Sequence, residues 1–192
     1  MPYLIKPSLQ NYSWGDTKYL QELIGEQQEI GKPLAEIWFG AHPKAPSLVI
    51  TEKGEIPMNK LLQDMPENML GTKQNITLPF LLKILAAAEP LSLQVHPDKQ
   101  TAQNGFRQEE QEGIPLTDLK RSFKDPNHKP ELICALTPFI AMCGFRPFEE
   151  IIRNFLILGI AEIWQKFSAF NKNPSKNNLK DLFSQILESD SS

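Results

Sequence analysis

Through residue 146 the apolar sequence comes in short runs, each stopped by a proline, a glycine or a polar cluster. Residues 47–51, 80–85, 91–96, 132–136 and 139–143 are such runs. Proline lacks the amide proton that a helix interior or a central strand requires. The sixteen prolines of this chain therefore suit strand edges and turns better than long helices. The pattern predicts a mainly β architecture, interrupted by helices over 18–24 and, after Pro57, over 59–64. Sandwich and barrel both remain open on this evidence.

The character changes after Arg146. Pro147 is placed to be a first helical residue, and Glu149 and Glu150 suit the positive end of a helix dipole. Ile151, Ile152, Phe155, Leu156 and Leu158 follow at roughly helical spacing. A polar connector over 171–178, containing Pro174, leads to Leu179, Leu182, Phe183, Ile186 and Leu187, the apolar stripe of a second amphipathic helix. The expected organisation is a β-rich domain over 1–146 and the beginning of a helical domain over 147–192.

Two strings inside the β-rich part carry chemistry. Successive side chains of a strand point to opposite faces. Ser92, Gln94 and His96 would then line one face, and Leu91, Leu93 and Val95 the other. Lys129 and Glu131 are also two apart and enter the apolar run 132–136. The amide of Gln94, the imidazole of His96 and the carboxylate of Glu131 make a partial coordination sphere for a zinc-like ion. A Gln-x-His pair by itself is more often a surface strand or a satisfied core histidine. Residues 123–131, with one histidine, two lysines, an aspartate, a glutamate and two prolines, are poor core material.

A net charge of −3 provides no basic footprint, which argues against nucleic acid as a partner. The opening Met1-Pro2-Tyr3-Leu4-Ile5-Lys6-Pro7 lacks the apolar stretch of a signal peptide, and Glu162 interrupts the longest late apolar run before membrane-spanning length. Cys134 and Cys143 lie in apolar sequence without CxxC spacing, and read as buried free thiols in a reducing compartment. A cytoplasmic protein with no membrane partner is expected.

Residues 123–131, Phe-Lys-Asp-Pro-Asn-His-Lys-Pro-Glu, and 91–99, Leu-Ser-Leu-Gln-Val-His-Pro-Asp-Lys, resemble the metal-binding signatures of the type I mannose-6-phosphate isomerases. Tyr12-Ser13-Trp14-Gly15, the stretch Ala-Glu-Ile-Trp-Phe-Gly-Ala-His-Pro at 35–43, Pro79-Phe80-Leu81-Leu82-Lys83 and Cys143-Gly144-Phe145-Arg146-Pro147 match in the same order. The resemblance covers nearly everything from residue 3 to residue 160. It implies a cupin-type β-barrel, or jelly roll, followed by the start of a helical domain. It also implies a zinc-dependent isomerase of carbohydrate metabolism, on the route to GDP-mannose, that interconverts mannose 6-phosphate and fructose 6-phosphate through an enediol-type proton transfer. One zinc ion per chain would be held by Gln94, His96 and Glu131.

Lys83 interrupts an apolar run, so its ammonium is expected in a cavity, for proton transfer or sugar-phosphate contact. The alternative is a lysine snorkelling from an edge strand. Lys129 shares the predicted face of Glu131 and is the second cationic candidate for catalysis and substrate binding. Ser92, beside Gln94, could donate to phosphate or a hydroxyl. His128 suits acid–base work because imidazole titrates near neutrality. The choice of base among Lys83, Lys129 and His128 stays open. Trp14 and Glu36 could border the sugar pocket but read first as closing the barrel, His42 reads as structural, and Glu109-Glu110-Gln111-Glu112 as a solvated loop or helix face.

The family pattern continues with a fourth ligand histidine and a substrate-facing arginine that cannot be located here; the chain's three histidines are His42, His96 and His128. The alternative reading is an inactive or partner-dependent metal-binding fragment that needs a missing C-terminal half.

Overall fold

Among the described residues, alternation in the short apolar runs builds two antiparallel sheets of three strands each. The computed structural model describes residues 2–25, 29–71, 74 and 76–189. The chain divides into two units, Met1–Lys129 and Pro130–Ser192. Residues 130–146, which composition groups with the β-rich part, belong to the second unit.

In the first unit, β1 (Leu4–Lys6) pairs with β4 (Leu48–Thr51), and β4 with β5 (Gly54–Pro57). Val49 is fully buried and clusters with Met58, Leu61 and Leu62 of α2 (Met58–Asp64). The short α3 (Pro66–Leu70) follows. The second sheet has the order β2 (Ser8–Gln10), β3 (Glu36–Phe39), β6 (Leu82–Leu85). Ile37 and Ile84 are register partners on the face covered by Leu20 and Ile24 of α1 (Tyr19–Ile24). Full burial of a side chain such as Ile37 or Val49 contributes about 2 kcal/mol. The period of two then sends Glu36, Trp38 and Lys83 to the opposite face.

Residues 14–16 run between two other segments of this unit. The Asp16 amide donates to the Ala86 carbonyl at 2.9 Å, and the Leu34 amide donates to the Asp16 carbonyl at 2.9 Å. Gly15 explains the close approach: a Cβ there would stand 2.5 Å from the Ala35 nitrogen. Backbone bonds thereby lace together the chain immediately beside three of the matched motifs.

Several expected elements form. The helices at 18–24 and 59–64 are α1 and α2, and the runs at 47–51 and 80–85 contain β4 and β6. The runs at 91–96, 132–136 and 139–143 are not strands. A strand exists through hydrogen bonds to a neighbour, and among the described residues no neighbour pairs with these runs. Their apolar side chains stay in solvent, Val95 at 83% exposure and Leu132 and Ile140 at 97%. Cys134 and Cys143 are free but exposed rather than buried, for the same reason. Helices occupy more of the described chain than strands, and no closed barrel is present among the described residues, so the mainly β expectation is corrected to two small antiparallel sheets with several helices.

A helix not anticipated from sequence, α4 (Lys99–Gln111), follows residues 91–98, with Asp98 as its N-cap accepting from the Thr101 amide at 2.7 Å. Glu109, expected in solvent, is buried on it.

The second unit contains α5 (Phe148–Leu158), α6 (Trp164–Lys172) and α7 (Lys176–Glu188) around Ile151, Ile163, Phe167, Phe170, Leu179 and Leu182. Pro147 is the N-cap rather than the first helical residue, its ψ of 146° being extended. The connector predicted over 171–178 shrinks to residues 173–175, because α6 continues through Lys172 and Ser175 caps α7. Among the described residues no helix is long and apolar enough to cross a membrane.

Candidate functional site

The face of the second sheet away from α1 carries a cluster of polar groups around Lys83. Lys83 on β6 is the register partner of Trp38 on β3. Its Nζ lies 3.4 Å from each carboxylate oxygen of Glu36 and 4.7 Å from the centroid of the Trp38 ring. The Trp38 indole N–H donates to Glu36 Oε2 at 2.6 Å. The ammonium is thus held between a carboxylate and an indole face, with 30% of its side chain still exposed. A partly desolvated cation in this setting can meet an anionic or oxygen-rich ligand while its stem stays fixed.

His42 joins the group from the loop after β3. Its ring meets Trp38 edge-on, with centroids 4.8 Å apart. Its pKa lies below the ordinary imidazole value, first because of burial and then because of the Lys44 and Lys83 charges. Nδ1 accepts from the Lys44 amide at 3.3 Å, so the neutral ring carries its proton on Nε2.

Glu36 and His42 both touch the surroundings of Lys83, Glu36 directly and His42 through Trp38. The signal was available: Glu36 and Trp38 are two apart on one strand and so share a face. Trp14 stacks on Tyr12 with centroids 5.7 Å apart.

The other sequence-derived candidates lie in irregular chain. Ser92, Gln94 and His96 are exposed and lie in a stretch between β6 and α4 that forms neither strand nor helix. His128 and Lys129 are exposed at the end of the first unit, and Glu131 is exposed at the start of the second. Among the described residues no group of three or more His, Cys, Asp and Glu side chains is gathered to hold a metal ion. Gln94, His96 and Glu131 include only two of those residue types. Their donors fit a zinc-like ion by chemistry: one amide oxygen, one imidazole nitrogen and one carboxylate, none of them needed for a sheet ladder.

The profile of the phosphomannose isomerase type I catalytic domain matches residues 3–148. The mannose-6-phosphate isomerase of Escherichia coli (strain K12) is 42% identical over 184 residues, covering 94% of this chain and 46% of that protein. A lysine-to-alanine variant of the phosphomannose isomerase from Salmonella typhimurium is similar in structure with a TM-score of 0.89 at 38% identity, over 99% of this chain and 49% of that one. The mannose 6-phosphate isomerase from Salmonella typhimurium bound to substrate (f6p) and zinc gives a TM-score of 0.82 at 36% identity, again over 99% and 49%. The chain spans about half the length of the curated relatives it matches.

Proposed function

The chain belongs to the type I phosphomannose isomerase family, and from that premise we propose that it supplies the catalytic-domain part of a zinc-dependent aldose–ketose isomerase. The substrates are mannose 6-phosphate and fructose 6-phosphate, handled in the cytoplasm. The observation that carries this reading is the likeness of nearly the whole chain to a relative bound to substrate (f6p) and zinc. The two sheets of the first unit would form part of a cupin-type barrel.

Gln94, His96 and Glu131 are the proposed ligands of one zinc ion. When bound, zinc supplies Lewis-acid stabilisation of the oxyanion that develops as a proton moves between C1 and C2. The chain's own residues do the rest. Lys83, already fixed by Glu36 and Trp38, binds substrate oxygens as a positioned cation. Lys129 provides a second charge, Ser92 a hydroxyl donor, and His128 an imidazole to take and return a proton. Solved relatives include variants with a lysine, a glutamate or a histidine replaced, the residue types of Lys83, Glu131 and His96.

The second reading, a metal-binding fragment inactive without a further portion, rests on the half-length match and on exposed apolar residues such as Leu132 and Ile140. A coupled assay measures isomerisation by the 192-residue chain alone and with the remaining half of a relative supplied in trans. Turnover only in the mixture supports both the isomerase assignment and the need for a partner. Turnover by the chain alone removes the fragment reading, and none in either case counts against the isomerase assignment.

A further inference from the structure

α4 ends in a buried polar clasp that the isomerase chemistry does not itself require. Glu109 accepts from two successive backbone amides, Ser122 at 2.9 Å and Phe123 at 2.8 Å. The Arg121 side chain is fully buried, and its Nε lies 3.1 Å from Glu109 Oε2. One terminal nitrogen of Arg121 reaches Glu110 Oε1 at 2.7 Å, the other donates to the Ile114 carbonyl, and Nε donates to the Phe123 carbonyl at 2.8 Å. The guanidinium also stands 5.0 Å from the centroid of the Phe106 ring. The Phe123 ring lies against the helix at Gly105, where a Cβ would approach it to 2.4 Å.

The amides that Glu109 holds, Ser122 and Phe123, and the Phe123 carbonyl that Arg121 holds lie at the entrance to residues 123–131. That segment makes no strand, so sheet pairing does not set its course. The other end of α4 is fixed directly after His96 by the Asp98 cap. One rigid helix therefore begins next to one proposed ligand pair and grips the start of the segment bearing His128 and Lys129. We propose that Glu109 and Arg121, with Gly105 as the seat for Phe123, are positioning residues for that segment. This rests on the isomerase reading only in taking the segment to serve a metal and a sugar phosphate.

A free entrance would increase the ordering cost each time the segment is recruited to a ligand. The test uses the full 192-residue chain, its E109Q variant and its G105A variant. E109Q removes the charge and one acceptor. G105A keeps every polar group and favours the helix, but forces the Phe123 ring away. Titration with zinc alone should give binding weakened by about tenfold in both variants, the lower end of what lost outer-shell support costs a metal site. Far-UV circular dichroism should stay unchanged, with α4 intact in G105A. Trypsin should cut after Lys124 several-fold faster in both variants than in the parent chain. Equal zinc affinity in all three chains overturns the proposal. If the parent chain binds no zinc, the metal reading fails by itself. The positioning role then depends on the trypsin rates, and equal cutting after Lys124 overturns it.

Discussion

Lys83 Nζ stands 3.4 Å from both carboxylate oxygens of Glu36, a residue 47 positions earlier in the chain. Glu36 is buried and also accepts the Trp38 indole N–H, so the carboxylate cannot turn away without losing that bond. The pair should therefore be coupled more strongly than an exposed ion pair. A double-mutant cycle with Lys83→Ala and Glu36→Gln, read by chemical denaturation, should give a coupling energy of about 1 kcal/mol. Additive single variants would mean that the ammonium is not held there in solution.

Gly15 is demanded by space rather than by backbone conformation. A Cβ would stand 2.5 Å from the Ala35 nitrogen and 2.6 Å from the Leu34 carbonyl carbon, both in main chain that cannot step aside cheaply. Gly15→Ala should cost about 3 kcal/mol, at the upper end of overpacking penalties. A melting temperature equal to that of the parent would refute the close approach.

The resemblance and the local patterns told much of this in advance, but through different kinds of signal. A lysine inside an apolar run draws attention to Lys83, but that pattern alone favours a snorkelling side chain and only the resemblance points to a site. Its partner Glu36 was harder to read, because register between distant strands is not written locally. Runs 91–96 and 132–136 have the composition of strands, yet strands require neighbours and these runs have none among the described residues. The burial of Glu109 depends on Arg121 and on amides 13 and 14 residues further on. α4 has a polar, glycine-containing sequence that hides its helical period, although the Asp98–Thr101 cap was a readable start signal.

Lys83 and Lys129 should matter to turnover more than to folding. Each is partly or wholly exposed, so truncation opens no cavity, while a misplaced charge near a sugar phosphate is costly to catalysis. In a complete protein carrying this segment, Lys83→Ala and Lys129→Ala should each lower turnover by about a hundredfold or more. Stability should change by only about 1 kcal/mol. Parent-like turnover in both would leave these lysines as scaffold.

His42 gives the first unit an acid-sensitive limb. Burial, with the Lys44 and Lys83 charges, lowers its pKa below the ordinary value of 6.5. The unfolded chain therefore takes up its proton first as pH falls. The stability due to neutral His42 is complete above 6.5 and declines as pH drops toward the folded-state pKa. Asp16, Asp98 and Glu109 also have lowered values, but their contributions decline only below the ordinary carboxylate range. Denaturation at pH 7.5 and at roughly 5.5 should thus separate the parent from His42→Gln, the variant losing less stability on acidification. Identical losses would assign the limb to another group.

Zinc binding by the chain should require Gln94, His96 and Glu131 together. With three protein donors, loss of the imidazole leaves an amide and a carboxylate, too few to hold the ion against water. His96→Ala should remove most of the zinc retained after dialysis, as measured by elemental analysis. Gln94→Ala should weaken binding less, since a neutral amide oxygen is the poorest donor of the set. Zinc content unchanged in His96→Ala, at neutral pH and with the variant folded, would show that the ion binds elsewhere and would end the assignment of this ligand set.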